Sequence, residues 1–269
     1  MTLTVVIPTY RNPRYLDLCL WSAVEGLDAP DVEILVVVDG YASESADVLQ
    51  RFPSVTALSL PENRGMQYAL NVGVMQAATR DVFVINDDNV FPERWASRLL
   101  AERERMRADA RWCLTVDQVE PFGPGMFRFD VHDVGRDVEH FDFDAWVAWE
   151  RAHSAASARL TADGHVFPFV IEKKLYLACG GFDTFYGSPN VCDWDFFLKL
   201  ELLGCAFPRT HALHLYHFGS VATKKNAEAA QFREREARAF AEFEWKWGAP
   251  PFNADGTNSK IPPGGFRGF

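Results

Sequence analysis

The amino-acid sequence predicts an α/β protein with a central, mostly parallel sheet and helices on both of its faces. Short β-branched runs alternate with segments of helical spacing from residue 4 to residue 85, which is the pattern of repeated strand and helix units. The chain has 269 residues, enough to bury a substantial core. Its 48% of hydrophobic and 24% of charged residues are typical of a folded, soluble protein.

The first strands and helices follow one another in regular order. Apolar, β-branched runs bounded by Pro or Asp-Gly predict strands, and apolar residues at intervals of three and four predict helices. The strands are expected at 4–7, 33–38, 55–60 and 81–85, and the helices at 15–27, 43–52 and 65–78. In the third helix, the small residues Ala69, Gly73 and Ala77 are expected to let backbones pack closely. Right-handed crossovers between the strands then place helices on both faces.

The rest of the chain has a different character. A charged helix, mostly in solvent, is expected at 95–109, and a strand at 112–116. Residues 120–169 contain a Pro/Gly turn cluster and many aromatic residues, which favours a specificity region over another strand and helix unit. Residues 228–247 predict an amphipathic helix that packs on the domain through Phe232, Phe240 and Phe243. Residues 249–269 are rich in Pro and Gly and predict a loose tail.

The composition disfavours several classes of protein. A net charge of −10 argues against tight, nonspecific binding to nucleic acid or anionic lipid, because both need clustered Lys and Arg. The longest apolar runs, 34–38 and 82–85, are far too short for a membrane helix. Five cysteines without a C-x-x-C pair fit reduced thiols, and the first strand leaves no room for a signal peptide. A cytoplasmic protein without stable membrane insertion is therefore predicted.

Segment 82–89 (VFVINDDN) carries the strongest indication of function, since an apolar strand ends there at two adjacent carboxylates, Asp87 and Asp88. Open α/β sheets bind ligands at the carboxyl ends of their strands, and carboxylate oxygens suit a divalent cation that holds phosphate. A turn of the same composition needs no metal, because Asn and Asp also fill tight turns and cap helices. Both interpretations are open for this segment taken alone.

Other polar segments follow strands one and two and precede the third helix, where a nucleotide would bind. A Thr-Tyr pair offers polar contacts and a stacking face, and a carboxylate can accept hydrogen bonds from a uracil ring or a ribose. Asp39 is as readily a turn residue, and Asn63 a helix cap. The residues predicted to bind the nucleotide are Pro8, Thr9, Tyr10, Arg11, Asp39, Asn63, Arg64 and Asp87.

These segments resemble family 2 glycosyltransferases, which have the Rossmann-like GT-A fold. Residues 4–10 (TVVIPTY) resemble the family's opening strand, residues 63–73 its N-x-G-x-x-x-A-x-N-x-G helix, and residues 82–92 the strand with its degenerate DxD motif. Later in the chain, 180–183 (GGFD), 192–198 (CDWDFFL) and 215–220 (LYHFGS) resemble further motifs of the family, in the family's order. The resemblance extends over about residues 3–222.

The resemblance implies a specific chemistry. Asp88 and His217 would hold Mn²⁺ or Mg²⁺, which neutralises charge on the leaving diphosphate. Asp193 would act as the general base on the acceptor hydroxyl, so that a single displacement inverts the anomeric configuration. Asp195 is expected to support Asp193, and Trp194 is either a stacking face for a sugar or a core residue. The implied donor is a nucleotide-sugar, with a UDP-sugar favoured, and the implied acceptor bears a hydroxyl group of unknown class.

The resemblance also predicts the domain organisation. A single GT-A domain would occupy residues 1–222, with a nucleotide-binding half at about 1–118 and an acceptor and catalytic half at about 119–222. An amphipathic helix at 223–248 and a tail at 249–269 would follow it.

Departures from the family pattern define the alternatives. Val38, Asn86 and Cys192 stand where the family often has acids, which leaves open a sugar- or nucleotide-binding module without turnover. A transferase that acts on a modified base in DNA is a further alternative, although the negative charge disfavours nucleic acid. The absence of a glycine-rich loop after strand one disfavours nucleotidyltransferases and dinucleotide-dependent oxidoreductases. His211 and His214 could face one metal, but no third soft ligand for a zinc site lies at an obvious interval.

Overall fold

The computed structural model describes residues 2–106, 110–122, 130–156, 160–186, 191–219 and 229–252. The strands lie in one sheet and are numbered in chain order. They are β1 (Leu3–Thr9), β2 (Val32–Val38), β3 (Thr56–Ser59), β4 (Asp81–Val84), β5 (Asn89–Val90), β6 (Cys113–Glu120), β7 (Asp130–Val131), β8 (Leu160–Thr161), β9 (Phe169–Glu172) and β10 (Arg209–His217).

The helices cover both faces of this sheet. They are α1 (Pro13–Glu25), α2 (Ala42–Arg51), α3 (Met66–Gln76), α4 (Trp95–Glu104), α5 (Phe143–Ala156), α6 (Lys173–Ala178), α7 (Cys192–Leu202) and α8 (Ala229–Trp247). In the part of the chain that is described, each helix is too short or too polar to cross a bilayer.

The strand order is β3-β2-β1-β4-β9-β6-β10-β5, with β7 beside β6 and β8 beside β10. β1 pairs in parallel with β2 and β4, and β2 with β3, as the alternation of strands and helices predicts. The short β9 runs antiparallel to both β4 and β6, so these two strands share one direction. β10 is parallel to β6. The sheet is therefore mixed but mostly parallel, and the predicted fold class is confirmed.

Two of the predicted elements differ from the structure. The strand predicted at 112–116 continues to Glu120. The helix predicted at 95–109 ends at Glu104, and it buries Trp95, Ala96 and Leu99 instead of lying mostly in solvent. Both differences arise from tertiary packing, because the buried neighbours of these residues are distant in sequence.

Helix α3 lies unusually close to the sheet at Gly73, as its small residues predict. A Cβ atom at this position would lie 2.4 Å from Val6 Cγ1 and 2.9 Å from Val37 Cγ2. Real side chains do not approach so closely, so the helix can sit against β1 and β2 only without a side chain here.

Aromatic side chains of residues 130–156, part of the segment predicted to be a specificity region, pack against β10. Trp146 is completely buried and its ring meets the edge of Tyr216 at 5.4 Å. Phe141 packs on both Tyr216 and Phe218. These aromatic side chains therefore support β10 from the α5 side.

Helix α8 packs on the domain as predicted, through Ala239, Phe243 and Trp247. The side chain of Phe232 and the predicted tail beyond residue 252 lie outside the described residues. The burial of Lys246, which also lies in α8, was not predicted.

Candidate active site

Five strands present polar residues at one edge of the sheet. Because β1, β2, β4, β6 and β10 are parallel, their carboxyl ends lie on the same side. Thr9, Glu120 and His217 end β1, β6 and β10, while Asp39 and the pair Asp87-Asp88 follow β2 and β4. The topology alone therefore brings several of the predicted site residues to one crevice.

Asp87 joins the loop after β4 to the loop after β1. Its Oδ2 accepts a hydrogen bond from Thr9 Oγ1 at 2.6 Å, and its Oδ1 accepts one from Asn12 Nδ2 at 3.2 Å. Burial, together with the charge of Asp88, raises the pKa of Asp87 to about 7 despite these donors. Asp87 thus holds two loops of the crevice in register.

Asp88 lies beside His217 at this edge of the sheet, and both residues are buried. His217 Nε2 is 3.4 Å from Asp88 Oδ1, and His217 Nδ1 is 2.7 Å from Glu120 Oε1. Burial by itself lowers the pKa of His217, but the charges of Asp88 and Glu120 outweigh it and raise the pKa to about 10.

This arrangement fits a divalent cation. Among the described residues, no hydrogen-bond partner satisfies the buried Nε2 of His217, although the carboxylate of Asp88 is near. A carboxylate oxygen and an imidazole nitrogen are both good ligands for Mn²⁺. Glu120 on the opposite ring nitrogen is the kind of partner that orients a metal-binding histidine. Asp88 and His217 would hold the cation, and Glu120 would support His217.

Asp39 organises the loop that precedes α3. Its carboxylate accepts hydrogen bonds from the backbone N–H groups of Arg64 at 2.7 Å and Gly65 at 2.9 Å, and from Asn63 Nδ2 at 2.8 Å. Burial raises the pKa of Asp39, and the two backbone donors oppose that shift. Gly40 permits this contact, because at φ +75° it lets Asn63 N approach to within 2.6 Å of where a Cβ would stand. Most of the acceptor capacity of Asp39 is therefore used within the protein.

An aromatic and cationic cluster borders the crevice beside β1 and β2. The rings of Tyr10 and Tyr41 meet edge to face at 5.8 Å, and the guanidinium of Arg11 lies 4.9 Å from the Tyr41 ring. Arg11 and Tyr41 both adopt positive φ angles, near +50°, which are uncommon for residues with side chains. Arg11 also pairs with Glu44 at 3.1 Å.

The other predicted nucleotide-binding residues have contrasting positions. Pro8 is buried within β1, so its ring is not available to a ligand. Arg64 is half-exposed, and its guanidinium lies 4.8 Å from the ring of Tyr68.

Asp193 lies in the first turn of α7 and is partly exposed. Its Oδ1 accepts a hydrogen bond from the backbone N–H of Trp194 at 2.9 Å. Burial raises its pKa to about 7, although that hydrogen bond opposes the shift. A carboxyl group with such a pKa can take up a proton near neutral pH.

The neighbours of Asp193 are structural. Trp194 is buried, with its ring edge to face against Phe252 at 4.6 Å, which favours the core role over a sugar-stacking one. Asp195 is fully buried and accepts a hydrogen bond from Tyr186 OH at 2.9 Å. Tyr186 in turn accepts, at its backbone carbonyl, a hydrogen bond from Gln67 in α3. This chain of contacts links α7 to the helix that begins at the crevice.

Comparison with known proteins shows what the chain is similar to. Residues 4–125 match the model for glycosyl transferase family 2. The match includes Asp39, Asp88 and Glu120, whereas Asp193 and His217 lie beyond it.

Solved structures share the fold of this chain. Residues 1–349 of S. aureus TarS, solved in complex with UDP-GlcNAc, superpose with a TM-score of 0.58 at 16% identity, covering 91% of this chain and 67% of that one. The mannosyltransferase PcManGT from Pyrobaculum calidifontis, in complex with GDP-Man and Mn²⁺, gives a TM-score of 0.56 at 20% identity, covering 93% and 66%. At these identities the likeness shows the GT-A fold. No curated protein matches the sequence.

Three residues of the candidate site were missed as individual candidates. Asn12 and Tyr41 stand next to predicted site residues in sequence, so their neighbourhood was the available signal. Glu120 would have been found by extending the strand predicted at 112–116 to its true end. Its pairing with His217 joins residues 97 positions apart, which no local pattern reveals.

A second group of residues could hold a metal ion, with the carboxylate of Asp117 beside His211 and His214. Ligand atoms of Asp117, His211 and His214 lie within 4.8 Å of one another. His211 Nδ1 is 2.6 Å from Asp117 Oδ2, and Arg209 Nε donates to Asp117 Oδ1 at 3.0 Å. The guanidinium already compensates this carboxylate, so the pair of Asp88 and His217 is the better cation site.

Proposed function

We propose that this protein is a family 2 glycosyltransferase, metal-dependent and inverting, that moves a sugar from a nucleotide-sugar, with a UDP-sugar favoured, to a hydroxyl group. One observation carries the proposal. The carboxylate of Asp88 lies beside the buried Nε2 of His217, which lacks a hydrogen-bond partner among the described residues, at the edge of the sheet where strands end. The complexes of the two structural neighbours with UDP-GlcNAc and with GDP-Man and Mn²⁺ support this class of donor and cofactor.

The nucleotide would bind between the two loops that flank the carboxyl ends of β1 and β2. Tyr10 and Tyr41 offer aromatic faces to the base, and Arg64 is half-exposed at the loop that Asp39 holds. The cation held by Asp88 and His217 would neutralise charge on the leaving diphosphate. Asp87 keeps the loops after β1 and β4 in register for this purpose.

Asp193 would serve as the general base. As the acceptor oxygen forms its bond to the anomeric carbon, the bond from that carbon to the diphosphate oxygen breaks, and the nucleoside diphosphate leaves with the electron pair. The hydroxyl proton passes to the Asp193 carboxylate, whose pKa of about 7 suits a proton acceptor near neutral pH. A single displacement of this kind inverts the anomeric configuration.

The test is turnover of a panel of donors. We expect one of UDP-GlcNAc, UDP-glucose or GDP-mannose to release nucleoside diphosphate in the presence of Mn²⁺, and we expect EDTA or Asp88→Asn to abolish the release. NMR of the product sugar would show the inverted anomer. If a donor binds saturably but releases no nucleoside diphosphate with either Mn²⁺ or Mg²⁺, the protein is instead a binding module without turnover.

The proposal also covers the chemical class of the acceptor and the cellular compartment. The acceptor carries a hydroxyl group, and the net charge of −10 disfavours a nucleic acid polymer. All five cysteines are free thiols, which supports the predicted reducing, cytoplasmic environment. The division into a GT-A domain at 1–222 and a separate C-terminal helix also stays a prediction. The packing of α8 on the domain is relevant to where this domain ends.

A further inference from the structure

Lys246, near the end of α8, is a buried cation in contact with two acids, the fully buried Asp195 and the partly exposed Asp183. Its Nζ lies 2.6 Å from Asp183 Oδ2 and 2.6 Å from Asp195 Oδ1. Only 2% of the Lys246 side chain is exposed. A buried ammonium is stable only when charged partners replace the water that it has lost. This lysine therefore binds α8 tightly to the two segments that contain Asp183 and Asp195.

Asp195 is the point at which these contacts converge. Besides Lys246, its Oδ1 accepts hydrogen bonds from Trp247 Nε1 and from Tyr186 OH, both at 2.9 Å. Lys199 Nζ lies 3.1 Å from its Oδ2. Two consecutive residues of α8 thus supply donors to one carboxylate in the first turn of α7.

The first turn of α7 also carries Asp193, two residues before Asp195. The backbone N–H of the intervening residue, Trp194, donates to Asp193 Oδ1. Phe252, just beyond α8, packs on the ring of Trp194. The orientation of Asp193 therefore depends on the first turn of α7, which is in contact with α8 and with Phe252.

We infer that Lys246 is a positioning residue for transfer, because it fixes Asp195 and through it the turn that aims Asp193 at the acceptor. This inference rests on the proposed role of Asp193. The segment matched by the family model ends at residue 125, far before α8. Through Lys246 and Trp247, α8 therefore supports the position of Asp193 in addition to covering the core.

The experiment compares three variants of the full chain. Lys246→Met removes the charge, and Trp247→Phe removes one donor to Asp195 while it keeps an aromatic ring. Phe243→Leu is the matched control, because Phe243 is equally buried in α8 but packs on Tyr186 and Trp247 through its ring alone. The measurements are UDP affinity by calorimetry, kcat and KM for the best donor of the panel, and hydrogen exchange of the amides of residues 193–198.

We expect Lys246→Met to bind UDP within about threefold of the wild type and to lose kcat on the order of 10²-fold, since a misplaced group costs about that much. Trp247→Phe should lose kcat about tenfold and Phe243→Leu only a few-fold. Exchange at 193–198 should accelerate in the first two variants and not in the third. If Lys246→Met does not fold, Trp247→Phe decides the question by the same readouts.

The outcomes separate the two proposals. Equal losses of kcat in Lys246→Met and Phe243→Leu, or unchanged exchange at 193–198, would overturn the positioning role and leave the proposed transferase intact. A wild-type protein that releases sugar from no donor would overturn the proposed function. In that case the exchange data still show whether Lys246 holds the first turn of α7.

Discussion

At the scale of single residues, Asp193 combines partial exposure with a pKa raised to about 7 by burial. We expect Asp193→Asn to reduce transfer on the order of 10²- to 10⁴-fold, because an amide cannot take the acceptor proton. The affinity for UDP should be unchanged. The wild-type rate should rise with pH until about pH 7 and then level off. Glu201→Gln, at the opposite end of α7, is the control and should have normal kcat.

The raised pKa of Asp193 also predicts that the folded state loses stability as the pH rises. Its folded pKa of about 7 exceeds the ordinary value of 3.8. As the pH rises between these values, the unfolded chain loses the proton first, so the folded state becomes less stable. Asp193→Asn should therefore gain stability relative to the wild type from about pH 4 to pH 7, by roughly 1–3 kcal/mol at pH 8. Urea denaturation at pH 4.5 and pH 8 measures this, and an equal gain at both would contradict it.

Glu120 is expected to act through His217. Its carboxylate lies 2.7 Å from His217 Nδ1, so it favours presentation of Nε2 to a cation. We expect Glu120→Gln to weaken the activation of donor hydrolysis by Mn²⁺ by about 10–100-fold in apparent affinity. Glu93→Gln, an exposed acid paired with Arg151, should leave the Mn²⁺ dependence unchanged. An unaltered Mn²⁺ titration in Glu120→Gln would argue against a metal on His217.

At the scale of elements, α3 depends on the missing side chain of Gly73. In most helices Gly→Ala stabilises by about 1 kcal/mol. Here the added methyl group would lie 2.4 Å from Val6 Cγ1, so we expect Gly73→Ala to destabilise the protein by about 1–3 kcal/mol instead. Thermal unfolding measures the change, and Met75→Ala on the exposed side of α3 is the control with little effect. A higher melting temperature for Gly73→Ala would contradict this prediction and would show that α3 can shift away from β1 and β2 at little cost.

At the scale of the whole molecule, α8 lies beyond the predicted boundary at residue 222 but shares a hydrophobic core with the residues before that boundary. Phe243 and Trp247 of α8 are fully buried among residues of α3, α6 and α7. Burying each large side chain contributes about 1.5–3 kcal/mol, and typical domains have only about 5–15 kcal/mol in total. We expect a chain ending at residue 222 to lose cooperative thermal unfolding. Arg238→Ala, on the exposed side of α8, should unfold as the wild type does.

The order of strands and helices up to β4 was predictable because it depends on local periodicity. β-branched runs such as 33–38 can be recognised within a few residues, and turns such as Asp39-Gly40 mark their ends. The antiparallel β9 was not predicted, since four buried residues carry no period that separates a strand from an aromatic loop. The partners of Asp39 were not predictable either, because they belong to a loop 24 to 26 residues away.

The sequence by itself determined that acids follow the parallel strands and therefore meet at one edge of the sheet, since every such strand has the same direction. Only the tertiary structure decided which partners those acids have. Glu120 reaches His217 across 97 positions, and Lys246 reaches Asp183 across 63. Periodicity reports which way a side chain points along its own element, whereas a hydrogen bond requires two elements to be placed within about 3 Å of each other.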